Sequence, residues 1–376
     1  MRLRLEMRLV HCFSVASLVI PLGMLANCGG SSNGSKPTPP PVPKKQYAYV
    51  TNSLDSTIGE YEIGSDGSLI PLAAPLATGT AAPTFIVVDP SGHFAYVANN
   101  EDTISQYMIG TDGALTPMAV PKVKTVDGAN PVQIVIEPSG HFAYVISGQD
   151  TIQQLAIGPT GALSYLNPAT VATGSFGPRF LAIDPSGSFL FATIYNVVEW
   201  RAIGANGALS SLPAGNLLTA YVSAEIAIDP IGRYAYVTAF FFPTPPSGGT
   251  VAEYTFDSNG TLTPQATPIV TTGSGPSSIT IDPSGKYAYI ADLNESAISQ
   301  YLIASGTLEP LNPPKIPTGG QPTSIALDRT GHYVYVVSHS GNAVWQYSIT
   351  ADGTLTPITP AIVATGSGPD NIAVTP

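Results

Sequence analysis

From Gln46 onward, apolar residues come in short runs, often alternating with polar ones and bounded by Gly, Pro, Asn or Asp. Alternation over a few residues between turn-formers predicts β-strands. "FIVVD" (85–89), "FLAID" (180–184) and "SITID" (278–282) read as short apolar strands. Asp-Pro-Ser-Gly then supplies type I turn chemistry, with Asp at the first corner, Pro fixing φ at the second and Gly last. "HFAYV" (93–97) reads as a second strand, and a variable polar loop leads to a third, "TISQYMIG" (103–110). Asp-Gly or Asn-Gly in "TDGAL" (111–115) and "ANGAL" (205–209) marks a hairpin, followed by a short fourth strand such as "LTPM" (115–118). No segment carries the extended i, i+3, i+4, i+7 stripe of a helix.

This unit recurs. Its turns open at Asp89, Glu137, Asp184, Asp229, Asp282 and Asp328, with Thr375 in a degraded seventh copy, at spacings of 48, 47, 45, 53, 46 and 47. A period in the 40s marks a repeat architecture, and four antiparallel strands per repeat describe propeller blades. The chain opens at "QYAYV", a second strand lacking a first, and ends at "PDNIAVTP", a first strand lacking a second. Joined, they complete one blade. The expectation is an all-β, seven-bladed β-propeller over 46–376, closed by its N- and C-terminal strands with Ile372 and Val374 buried. The Asp-Pro-Ser-Gly turns and Tyr-x-Tyr rows read as turns and inter-blade packing. His93, His141 and His332, each next to a turn glycine, read as solvated loop residues without catalytic work.

The N-terminus changes the address. "MRLRLEMRLV" is basic, and the apolar run from Leu9 to Ala26 is short and interrupted, which predicts a secretory signal over 1–27. Leu25-Ala26-Asn27-Cys28 resembles a bacterial lipobox, which implies lipidation of Cys28. Residues 28–45, rich in Gly, Ser and Pro, read as a tether. Cys12 lies inside the signal, so no intramolecular disulfide is expected. From Gln46 on there are 8 Lys/Arg against 24 Asp/Glu, the wrong sign for nucleic acid. The only membrane contact expected is the anchor at Cys28, on a monomer in the periplasm or on the cell surface.

"YAYVTN" (47–52), "FAYVAN" (94–99) and "YAYIAD" (287–292), with the period and the turns, resemble the YVTN-type repeat and the lactonase propellers of the 6-phosphogluconolactonase and muconate-cyclase type. The resemblance implies a site built from a Pro-His pair before one inner strand, Gly-Pro-Arg-His before the next, and an Asn-Glu pair after that blade's second strand. "GPRF" (177–180) matches the second motif, so Arg179 takes the family's arginine position. Phe180 and Val132 stand where the resemblance implies histidines, and Tyr195 where it implies glutamate. None of these three is a general base at neutral pH.

Other chemistry is sparse. His339 in "SHSGN" is the only histidine outside the Gly-His turns and the signal, and no Gly-x-Ser-x-Gly elbow occurs. The "TGSGP" glycines lack the helix and lysine of a phosphate loop. Asp55, Glu101, Asp102, Asp150 and Glu295 lie at loop ends, where such side chains satisfy backbone N–H groups; no metal or cofactor is assigned. Loops after the second and fourth strands should share one face, and they differ from blade to blade. The longest, "AFFFPTPPSGGT" (239–250), brings Phe240, Phe241 and Phe242 together. The reading is a binding module for a protein, glycan or peptide, using a loop face that holds Arg179, Tyr195, Phe240, Phe241, Phe242 and His339. Its alternative is a lactone hydrolase or cyclase with a reorganised site.

Overall fold

The computed structural model describes residues 45–376 except 80–81, 127, 129, 148–149, 175–176, 219–221 and 241–247. The signal segment, Cys28, Phe241 and Phe242 lie outside them. The regular elements of the described residues are strands, arranged in seven antiparallel sheets. Blades 1 to 6 span 83–124, 131–172, 178–218, 222–271, 276–317 and 322–364; blade 7 joins 369–374 to 46–77. Inner strands of neighbouring blades touch all the way round, so the ring is closed about a central channel.

Closure is the pairing of Pro369–Val374 with Gln46–Asn52, in which Ile372 faces Val50 and Val374 faces Ala48. Ile372 is buried as expected. Val374 is only half-buried, because the last residues of each inner strand border the channel. Outer strands are also longer than expected, ten residues in Leu115–Lys124 and Leu355–Ala364. Prolines such as Pro117 and Pro357 sit within them opposite Tyr107 and Tyr347, beside a register shift. An outer strand tolerates proline because nothing further out needs its missing N–H.

The repeated turn is built by its acid. Asp89 is buried; its Oδ1 accepts from the N–H groups of His93 (2.9 Å) and Phe94 (2.7 Å), and its Oδ2 from the N–H (3.0 Å) and hydroxyl (2.5 Å) of Ser91. Thr375 does part of this job in blade 7, where its Oγ1 accepts from Tyr47 N–H at 2.9 Å. His93 and His141 are exposed, with Nδ1 against the hydroxyls of Ser91 and Ser139 at 2.9 and 2.6 Å.

Blades are stitched by two recurring hydrogen bonds. The inner tyrosine of each Tyr-x-Tyr row donates its hydroxyl to the hairpin glycine carbonyl of the next blade: Tyr49 to Gly113 (2.8 Å), Tyr96 to Gly161 (2.7 Å), Tyr289 to Gly353 (2.7 Å). A Gln or Glu of the third strand accepts from the leucine N–H after that hairpin, as Gln106 does from Leu163 (2.7 Å) and Glu253 from Leu308 (2.6 Å). The hairpin glycine is required twice over: Gly113 has φ 85°, and a Cβ there would lie 2.2 Å from the Tyr47 ring. A third link joins inner strands, for example Gln133 Oε1 accepting from Leu181 N–H at 2.5 Å. At the seam between blades 3 and 4, Phe191 and Trp200 occupy the tyrosine and glutamine positions and pack against blade 4, so aromatic packing replaces both recurring links, while Phe180 stands at the third position.

Candidate functional site

The loop-side mouth of the channel is shaped by a feature every inner strand repeats. Six inner strands begin with Pro, whose lack of an N–H suits a strand start, and the next residue is bulged out of register: Thr84, Val132, Arg179, Ser277, Thr323 and Asp370. Bulges re-aim side chains and accompany active sites. Blade 4 shifts register between Ser223 and Ile226 instead.

Arg179 is therefore presented at the mouth, exposed, with no ion pair among the described residues. Pro178 pairs with Ile194, so Tyr195, the next residue, lies at the same end of blade 3; it is 56% exposed with φ 49°. Phe180 is half-buried, and Val132 on the adjoining inner strand is 42% exposed. Phe240 ends the second strand of blade 4, opposite Val222, at the same end of the ring.

His339 follows the second strand of blade 6, Tyr333–Ser338. Its Nδ1 lies 2.9 Å from Asp370 Oδ1 and 3.2 Å from the Pro369 carbonyl. Both neighbours are acceptors, so the ring proton belongs on Nδ1 and Nε2 carries the lone pair. Asp370 holds the bulge position in blade 7 that Arg179 holds in blade 3. Counting blades round the ring puts the two across the mouth from each other. Asp370 was not among the site residues expected from the sequence, although its place after Pro369 matches that of Arg179 after Pro178.

Glu225 was also passed over. It sits half-buried on the inner strand of blade 4 and accepts from Ile279 N–H at 2.8 Å. Burial pushes its carboxyl up to about 7, against the hydrogen bonds from Ile279 and Ser278. Asp55 accepts from the Thr57 hydroxyl and Ser367 N–H, both at 2.7 Å, and so ties blade 7 to its own closing loop. Among the described residues no three His, Cys, Asp or Glu side chains gather as metal ligands.

The lactonase seven-bladed β-propeller family matches residues 235–373. No curated protein sequence matches the chain. Among solved structures, a candidate 6-phosphogluconolactonase of Bacteroides fragilis superposes with a TM-score of 0.75 at 18% identity, over 90% of this chain and 100% of its own. The periplasmic gluconolactonase of Pseudomonas aeruginosa gives 0.72 at 17%, over 88% and 99%. A Lactobacillus plantarum protein gives 0.75 at 17%, over 88% and 99%. The chain is a seven-bladed β-propeller that resembles the lactonase propellers, over residues 235–373 in sequence and over most of its length in fold.

Proposed function

We propose that this protein is an exported lactone hydrolase whose general base is His339. The observation that carries the reading is the His339–Asp370 pair at the channel mouth. Asp370 holds the imidazole with Nε2 free to take a proton from water. That water attacks the lactone carbonyl, the ring C–O bond breaks, and the proton passes to the departing alkoxide to give a hydroxy acid. Arg179 is a cation available at the same mouth for the carbonyl or the product carboxylate. The likeness to gluconolactonase-type propellers supports the reaction class, and the periplasmic one among them supports export.

A lactone panel assayed on the purified protein tests this. His339→Asn should lower kcat by about 10²–10⁴-fold with an unchanged melting curve, and Asp370→Asn should lower it less. Turnover indifferent to His339→Asn would sink the assignment. A second reading, a non-enzymatic binding module for a protein, glycan or peptide, is favoured by Val132, Phe180 and Tyr195 in the places where the resemblance implies catalytic residues. It prevails if no lactone is turned over and the loop face captures a partner. Lipidation of Cys28 remains part of the proposal; mass spectrometry of the mature protein should find an acylated N-terminal cysteine.

A further inference from the structure

Four blades link to the next through a buried glutamine of the third strand, and each glutamine bonds at both ends of its amide. The oxygens of Gln106, Gln154, Gln300 and Gln346 accept from a leucine N–H of the next blade at 2.6–2.7 Å. Their nitrogens donate to a carbonyl of their own outer strand, Val120, Pro168, Pro313 and Pro360 in turn, at 2.7–3.0 Å. That carbonyl always lies five residues after the first leucine of the outer strand. Blade 4 carries Glu253 instead, at the same shift in register. Its Oε1 accepts from Leu308 N–H at 2.6 Å, whereas its Oε2 is buried without a hydrogen-bond partner. The same count from Leu262 puts the Thr267 carbonyl opposite that oxygen. A carboxylate buried against a carbonyl leaves two acceptors with no proton between them, at the cost of desolvating both. Glu60, the counterpart in blade 7, faces an outer strand broken into Leu69–Pro71 and Leu76–Ala77, and neither of its oxygens is buried without a partner.

We propose that Glu253 is protonated in the native protein at mildly acidic pH and donates its hydroxyl to the Thr267 carbonyl, as a pH-sensitive latch on the outer strand of blade 4. As an acid it does what the glutamine amide does in the other blades. Release of the proton to solvent breaks that bond and loosens Leu262–Thr271 and its seam with blade 5. Burial holds the carboxyl above its ordinary 4.5, against the hydrogen bond from Leu308 N–H. The surrounding elements bring no cation to it among the described residues. Tyr236, opposite it on the second strand, gives its hydroxyl to the Gly306 carbonyl at 2.9 Å, with Tyr234 beyond. Tyr254, the next residue, packs toward blade 3, and Leu262–Thr271 carries no titratable side chain. Glu309 and Lys315 of blade 5 are exposed, and Lys315 pairs with Glu295. Because the folded state holds the proton more tightly than the unfolded chain, the latch stabilises at low pH and is lost as pH rises. It does not depend on the hydrolase reading.

Melting curves of the full-length protein and its Glu253→Gln variant, recorded between about pH 4 and about pH 9, test the latch. The two should coincide at the acid end, and the wild type should fall below the variant as pH rises, because glutamine keeps its donor at every pH. Hydrogen exchange should place the loss: Leu262–Thr271 and Leu308 should lose up to about tenfold in protection per pH unit beyond the intrinsic rise, while Leu355–Ala364 of blade 6 should not. Gln300→Glu should install the same behaviour in blade 5. Should that variant not fold, the infrared difference between wild type and Glu253→Gln at mildly acidic pH decides: a protonated carboxyl band upholds the latch and an ionised one overturns it. Parallel melting profiles, or a Glu253→Gln protein less stable at every pH, would overturn it as well.

Discussion

Two acidic side chains show how the fold sets the behaviour of single residues. Glu225 is pushed up to about 7 by burial, and Asp292, fully buried between the hydroxyls of Thr272 (3.0 Å) and Ser299 (2.6 Å), is pushed up to about 6 by burial. Each folded-state value lies above its unfolded one, 4.5 and 3.8. Between those limits the native state holds protons that the unfolded chain has released, so these groups stabilise at low pH and that stability is lost as pH rises. Glu225→Gln with Asp292→Asn should therefore flatten the fall in stability from pH 4 to 7, by of the order of 2 kcal/mol per group. Denaturant titrations at several pH values check it; an unchanged slope would mean that both carboxyls ionise normally. Asn already occupies the Asp292 place in blades 7 and 1, as Asn52 and Asn99, so the second substitution fits the site.

Between elements, the seams decide cohesion, and the one joining blades 3 and 4 differs. Phe191 stands where six blades carry the linking tyrosine or its equivalent contact to a hairpin glycine, and its ring packs 5.5 Å from that of Phe256. Tyr96→Phe should cost about 1–2 kcal/mol, because the buried Gly161 carbonyl loses its donor. Phe191→Tyr, aiming a hydroxyl at Gly260, should stabilise by about 1 kcal/mol or less. Thermal melts of both variants decide this; equal effects of the same sign would refute the seam asymmetry. The seam was legible only in part: "FLF" at 189–191 visibly departs from Tyr-x-Tyr, but that Phe191 and Trp200 meet the same neighbouring blade required the ring. The outer strands run longer than the sequence predicts, and their outermost position makes the prolines within them harmless.

At the scale of the molecule, closure depends on six residues pairing with a strand more than 300 positions away. Truncation after Gly368 removes Pro369–Val374, exposes the first strand of the chain on one edge and deletes the buried Ile372. It also removes Asn371, whose Oδ1 accepts from Ile86 N–H at 3.0 Å in blade 1, and Asp370, the partner of His339. Ile372 alone is worth about 1.5–3 kcal/mol by burial, so the melting temperature should fall sharply or soluble expression should fail. A truncated protein with an unaltered melting curve would show that the seventh blade is dispensable.

The sequence by itself determined the strand count, the turn type, the blade number and the closing pair, because each follows from local chemistry repeated at a fixed period: Asp-Pro-Ser-Gly, Asp-Gly, alternation, and complementary ends. It also singled out Arg179, Tyr195 and His339. Only the tertiary structure decided what meets what. His339 and Asp370 are separated by 31 positions and one blade boundary, and their 2.9 Å contact exists because a bulge after Pro369 turns the carboxylate toward the loop of the preceding blade. The placing of Arg179 across the mouth from His339 and Asp370 is likewise a property of the closed ring, since blade 3 faces blades 6 and 7 only once the last strand has joined the first.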